Sequence, residues 1–88
     1  MKEEIKKNVY EIIKEIDISI SEEKIISSKN LISDLGFDSL KMISFIVAIE
    51  NKFKIEFDDD DLDITKLDSL ENVLCIIENK CELRDEMQ

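Results

Sequence analysis

Residues 32 to 53 read ISDLGFDSLKMISFIVAIENKF, and the fold turns on how this stretch is divided. Its first part holds Gly36, the only glycine of the chain, directly ahead of Asp38-Ser39-Leu40. Its second part, residues 39 to 53, contains no helix breaker and is apolar at most positions, which predicts a helix. The apolar positions wrap most of the way round that helix. Such a helix is either central in a bundle or presents part of its apolar surface to something else.

On the N-terminal side, Ile5, Val9, Ile12, Ile13 and Ile16 recur at helical spacing and mark a first helix over residues 3 to 16, with Lys and Glu outside. Residues 17 to 38 break that period and predict a long connection, in which Ser21-Glu22-Glu23 can cap a short helical turn. On the C-terminal side, DDDDLDI (58 to 64) is too polar for a long helix but suits the start of a short one, which Leu62 and Ile64 would pin to the core. Leu70, Val73, Leu74, Ile77 and Cys81 then mark a last helix from 69 to about 81. The expected fold is all-α: a four-helix bundle of three longer helices and one short third helix, with a long loop between helices one and two. It forms one domain, residues 1 to 82, with 83 to 88 as a fraying tail.

The net charge of −10 argues against nucleic acid and against anionic lipid, both of which select clustered Lys and Arg. The acid is concentrated: residues 55 to 71 hold eight carboxylates against one lysine, whereas 39 to 54 hold three lysines against one carboxylate. The first 16 residues carry charges throughout and no apolar core of a signal peptide, and no apolar run is long enough for a membrane span. A monomeric cytoplasmic protein is expected. Cys75 and Cys81 match neither a redox nor a zinc spacing and are expected as free thiols, Cys75 partly buried.

The tripeptide Asp-Ser-Leu recurs at Asp68-Ser69-Leu70, where Glu71 completes the pattern of a capping box and accounts for Asp68. At Asp38-Ser39-Leu40 the corresponding residue is Lys41, so capping alone does not explain the site. Gly36 there suits a sharp turn with positive φ, which would throw the chain into a helix start whose N–H groups and dipole favour a phosphate beside Ser39. With no histidine in the chain, Ser39 is not the nucleophile of a serine-histidine pair. One glycine excludes both the Gly-x-Ser-x-Gly elbow and a glycine-rich phosphate loop. The acid block is no calcium loop either: counted from Asp59, the twelfth position is Leu70 where a glutamate is needed.

DLGFDSL followed by a long apolar helix resembles the attachment motif of the acyl and peptidyl carrier protein family, and the helix order and chain length agree with it. The resemblance implies that Ser39 receives a phosphopantetheine arm from coenzyme A through a magnesium-dependent phosphopantetheinyl transferase, with Gly36, Asp38 and Leu40 as the rest of the motif. The arm then holds an acyl or aminoacyl cargo as a thioester and presents it to loading, condensing and transferring enzymes; the domain itself is no enzyme. It further implies that Leu40 and Val47 are exposed partner contacts, while Ile43, Ile46, Ile49 and Phe53 face the core. The alternative reading is that Leu40 and Val47 are simply core. Lys41 and Ser44 stand where carriers of primary fatty-acid synthesis are often acidic, and Glu50 and the acid of 56 to 63 remain for steering. Lys41, Ser44 and Glu50 thus join Leu40 and Val47 as candidate partner contacts. A free-standing carrier of a specialised biosynthetic pathway is expected, with a general fatty-acid carrier, or an interaction module that keeps the fold without the arm, as alternatives.

Overall fold

The computed structural model describes the backbone of residues 2 to 86 and the side chains of residues 3 to 82. The elements run α1 (Lys2–Ile16), α2 (Glu22–Ser27), α3 (Ser39–Phe53), a 3₁₀ turn (Asp59–Asp61), α4 (Ile64–Leu67) and α5 (Leu70–Glu86). The all-α expectation holds. The short helix within the long connection is α2, capped as its sequence suggests: the Ser21 hydroxyl accepts the Lys24 amide at 3.2 Å.

Three long helices make the core because each turns one apolar stripe inward. α1 contributes Ile5, Val9, Ile12 and Ile13, and packs on α3, α5 and α2. Its acidic first turn (Glu3, Glu4) and basic last turn (Lys14) match the helix dipole. α3 contributes Met42, Phe45 and Ile49, with Ile46, Ala48 and Phe53 packed part-way against the cluster. α5 contributes Leu70, Val73, Leu74 and Ile77. Among the described residues no helix is long and apolar enough to cross a membrane.

Several expectations are corrected. Ile43 is 60% exposed rather than core. Successive helix positions lie about 100° apart, so once Met42, Phe45 and Ile49 point inward, Ile43 is carried round to the side of Leu40 and Val47. Leu62 and Ile64 are also exposed, at 47% and 54%. A four-residue helix has one inward position, which Leu67 takes, and Ile55 and Phe57 on the extended link do the remaining anchoring. Cys75 is exposed, because the phase that buries Leu74 turns its neighbour outward; Cys81 is half-buried. Finally, α5 continues to Glu86, beyond the expected end near 81. The fraying expected of residues 83 to 88 falls on side chains outside the described residues.

The second Asp-Ser-Leu does not form the expected capping box. Asp68 has right-handed helical angles as the C-cap of α4, and Ser69 caps α5, its hydroxyl accepting the Asn72 amide at 3.3 Å. Starting α5 one residue later moves the box position from Glu71 to Asn72. The Asp68 carboxylate is thereby released to face the long connection. It accepts the Ile32 amide at 2.7 Å and the Asn30 side-chain amide at 3.2 Å. Backbone bonds from Leu31 N to Asp68 O (2.8 Å) and from Leu70 N to Lys29 O (2.9 Å) complete the seam.

Candidate functional site

The seam fixes residues 29 to 32, and a turn built on them leads to Ser39. The Asp34 carboxylate accepts the amides of Lys29 (2.8 Å) and Asn30 (3.0 Å), which hold it below the usual carboxylate range. Gly36 N donates to Ile32 O at 3.1 Å and Phe37 N to Leu31 O at 3.0 Å. Gly36 has φ of 73°, as its position in the sequence suggests. A Cβ there would meet nothing within 4 Å, so backbone angle and not space selects glycine. The reversal sends Phe37 into the core, edge-on to Phe45 with ring centroids 6.0 Å apart, and brings Asp38 and Ser39 to the surface.

Asp38 caps α3. Its backbone is extended, its carboxylate accepts the Lys41 amide at 2.9 Å, and its carbonyl accepts the Met42 amide at 2.9 Å. The carboxylate thereby satisfies one of the four orphan donors of the helix start, and the carbonyl accepts the first regular helix bond. Among the described residues, the amides of Ser39 and Leu40 and the Ser39 hydroxyl have no protein partner. Ser39 is the first residue of α3 and is exposed. An exposed hydroxyl at a helix start with unspent N–H groups suits a phosphodiester: the oxygen is reachable and the phosphate charge meets the positive end of the dipole. No imidazole stands beside it, because the chain holds no histidine.

Of the other candidate residues, Leu40 and Val47 are exposed at 73% and 48%, and Ser44 lies exposed between them. Ile43 joins this stripe and was missed in the sequence. The signal that could have found it is the spacing of Met42, Phe45 and Ile49, which phases the helix and leaves Ile43 outside. Lys41 and Glu50 turn aside to partners within the chain. The Lys41 ammonium pairs with Asp17 at the end of α1 at 2.8 Å. Hydrogen bonds from Lys41 and then Ser19 hold the Asp17 carboxyl at about 2, and the same bond raises Lys41. The Glu50 carboxylate accepts the Phe57 amide at 3.0 Å and so closes the exit from α3, where Lys54 adopts the left-handed conformation.

The acid block is organised around Lys80, which bridges Asp58 (3.3 Å) and Asp61 (3.0 Å). Partial burial opposes the charge on Asp61, but bonds from the Asp58 amide and Lys80 outweigh it and lower its pKa. Among the described residues no three Cys, Asp or Glu side chains converge as a metal site. A groove of about 630 Å³ runs along α1 and α2 past Tyr10, Ile18 and Ile26, and Ser39 does not line it.

Comparison with known proteins agrees with this geometry. The family model for the phosphopantetheine attachment site matches residues 9–74. An acyl carrier protein of Buchnera aphidicola subsp. Acyrthosiphon pisum (strain 5A) is 36% identical over 77 residues, covering 84% of this chain and 94% of the relative. The acyl carrier protein of Campylobacter lari is 35% identical over 77 residues (88% and 91% covered). That of Thermotoga maritima is 33% identical over 79 residues (90% and 94% covered). The chain therefore belongs to the phosphopantetheine-binding acyl and peptidyl carrier proteins, which carry their cofactor covalently and are carriers rather than catalysts.

Proposed function

We propose that Ser39 is the attachment residue and that the protein is a free-standing carrier serving a specialised biosynthetic pathway. One observation carries the assignment of the serine: Ser39 is the exposed first residue of α3, delivered there by the Gly36 reversal and the Asp38 cap. Ser69 has the same neighbours in sequence but spends its hydroxyl on the Asn72 amide. In the transfer reaction the Ser39 oxygen bonds to the pantetheine-bearing phosphorus of coenzyme A. The pyrophosphate bond breaks with adenosine bisphosphate as leaving group, and the hydroxyl proton goes to a base of the transferase. When bound, the arm supplies a thiol on which acyl or aminoacyl cargo is carried as a thioester.

The specialised role is supported by α3, whose first turn carries no acidic residue and whose Lys41 and Ser44 offer basic surfaces no carboxylate. The relatives named acyl carrier proteins favour a second reading, a general acyl carrier. Testing which ligases and transacylases load the arm-bearing form separates the two. The proposal takes residues 1 to 82 as the carrier domain, monomeric and in the cytoplasm, where coenzyme A is available. Its test is intact mass after incubation with coenzyme A, magnesium and a broad-specificity phosphopantetheinyl transferase. The wild type gains one arm and Ser39→Ala gains none; gain by Ser39→Ala contradicts the assignment.

A further inference from the structure

We infer that Asp17 is a positioning residue for arm transfer: acting through Lys41, it holds the first turn of α3, and with it the Ser39 hydroxyl, in the geometry that transfer needs. The inference rests on Ser39 being the attachment residue and adds what fixes that residue in place. Each member of the pair stands against the preference of its own helix. Asp17 follows directly on α1 and its amide donates to the Ile13 carbonyl at 3.0 Å, so its carboxylate lies at the negative end of that helix dipole. Lys41 lies at the positive end of α3, in a first turn that holds no acidic residue. Two breaks of local preference that resolve only in contact with each other point to a role beyond either helix.

The carboxylate is set before the lysine reaches it. Asp17 Oδ1 accepts both the amide (3.1 Å) and the hydroxyl of Ser19, which leaves Oδ2 turned to the Lys41 ammonium at 2.8 Å. Lys41 is therefore gripped at both ends, its ammonium by Asp17 and its amide by the Asp38 carboxylate at 2.9 Å. Between Asp38 and Lys41 stand only Ser39 and Leu40, whose amides have no protein partner among the described residues. A helix start with unbonded amides frays unless it is held from outside. The Asp68 seam and the Gly36 reversal act on the chain ahead of the serine, whereas Asp17 acts on the residue two places beyond it. Transfer needs the Ser39 oxygen aligned with the phosphorus it attacks, and a displacement of about 1 Å can slow such a step about a hundredfold.

The test measures the single-turnover rate of arm transfer and the KM for the carrier, with coenzyme A, magnesium and a broad-specificity phosphopantetheinyl transferase. The proteins are the wild type, Asp17→Asn, Asp17→Glu, Lys41→Met and the Asp17→Asn/Lys41→Met double variant, each held well below its thermal midpoint. Amide hydrogen exchange is followed at Lys41 and Met42 in the first turn and at Phe45 and Ile49 in the core. Asp17→Asn and Lys41→Met are each expected to slow transfer about threefold to tenfold, with KM changed less than about twofold. The double variant is expected to be no slower than the slower single one, because the two residues act as one contact. Asp17→Glu, which keeps the carboxylate, is expected to recover most of the rate. Exchange is expected to quicken more at Lys41 and Met42 than at Phe45 and Ile49. An unchanged rate for Asp17→Asn, or a loss carried by KM alone, overturns the inference while leaving Ser39 modified. Slowing by Asp17→Asn that Lys41→Met does not share assigns the effect to a freed ammonium beside the serine and overturns it too, as does exchange that quickens equally at all four amides. Failure of the wild type to gain mass overturns the attachment reading and the inference together.

Discussion

The Lys41 ammonium lies 2.8 Å from the Asp17 carboxylate, so the residue two places after Ser39 is tied to the end of α1. The connection of 22 residues between α1 and α3 thus has its two ends joined, and its interior is joined to the α4–α5 junction by Asp68. The serine is exposed but the helix start bearing it is held from two sides.

The Asp17 pair sets an acid limit. Asp17 ionises at about 2 in the folded chain against 3.8 unfolded, so its contribution is fully present above about 4 and is lost as pH falls towards 2. Both partners are part-exposed and screened by solvent, so the effect is modest. In urea unfolding at neutral pH, Asp17→Asn is expected to be less stable than the wild type, with the difference closing by pH 2. A difference that persists unchanged at pH 2 would show that the carboxylate charge is not its source.

Asp68 is expected to matter far more than Glu71. Asp68→Ala leaves the Ile32 amide without its acceptor and frees the Asn30 side chain, a loss of about 1 to 3 kcal/mol. Glu71 is exposed and forms no capping box, so Glu71→Ala is expected within about 0.5 kcal/mol of the wild type. Urea midpoints of the two variants check the contrast, and the reverse order would restore the capping-box reading.

Glycine at position 36 is required by angle alone. Gly36→Ala forces a β-carbon into the left-handed region and is expected to cost about 1 to 2 kcal/mol, without the larger penalty of a clash. Gly36→Asn is expected to cost less, because asparagine tolerates that conformation better. Equal thermal midpoints for the wild type and both variants would sink this explanation.

α3 is expected to divide sharply. Phe45 is fully buried and edge-on to Phe37, so Phe45→Ala is expected to lose about 3 to 5 kcal/mol. One helical step before the exposed Ser44 lies Ile43, and Ile43→Ala there is expected to change stability by less than about 0.5 kcal/mol. Comparable losses at the two positions would mean that the helix is rotated from the orientation described.

Much of this architecture was legible in the residues. α1 shows through its single stripe, and α2 through Ser21 before an acidic first turn. The site shows through a lone glycine ahead of Asp38-Ser39-Leu40. What stayed hidden has a common physical cause. α3 is apolar nearly all round, so its own period could not say that Met42 and Phe45 are core and Ile43 is not; packing against α1 decides that. Asp68 looked like a cap because its true partners, Asn30 and Ile32, are distant in sequence. Leu62 and Ile64 looked like anchors because an apolar residue beside acid suggests burial, yet Leu62 falls at the end of the 3₁₀ turn, outside α4, and the short α4 turns Leu67 rather than Ile64 inward. Lys41 and Glu50, offered for partner contact, answer to groups in the chain that no local pattern reveals.

The residue that carries the arm in the cell is the most direct measure of the site. Protein isolated from its own host, digested and sequenced by tandem mass spectrometry, is expected to carry the phosphopantetheine mass on Ser39 and an unmodified Ser69. The arm on Ser69, or a Ser39 peptide that is unmodified in every growth condition, would contradict it.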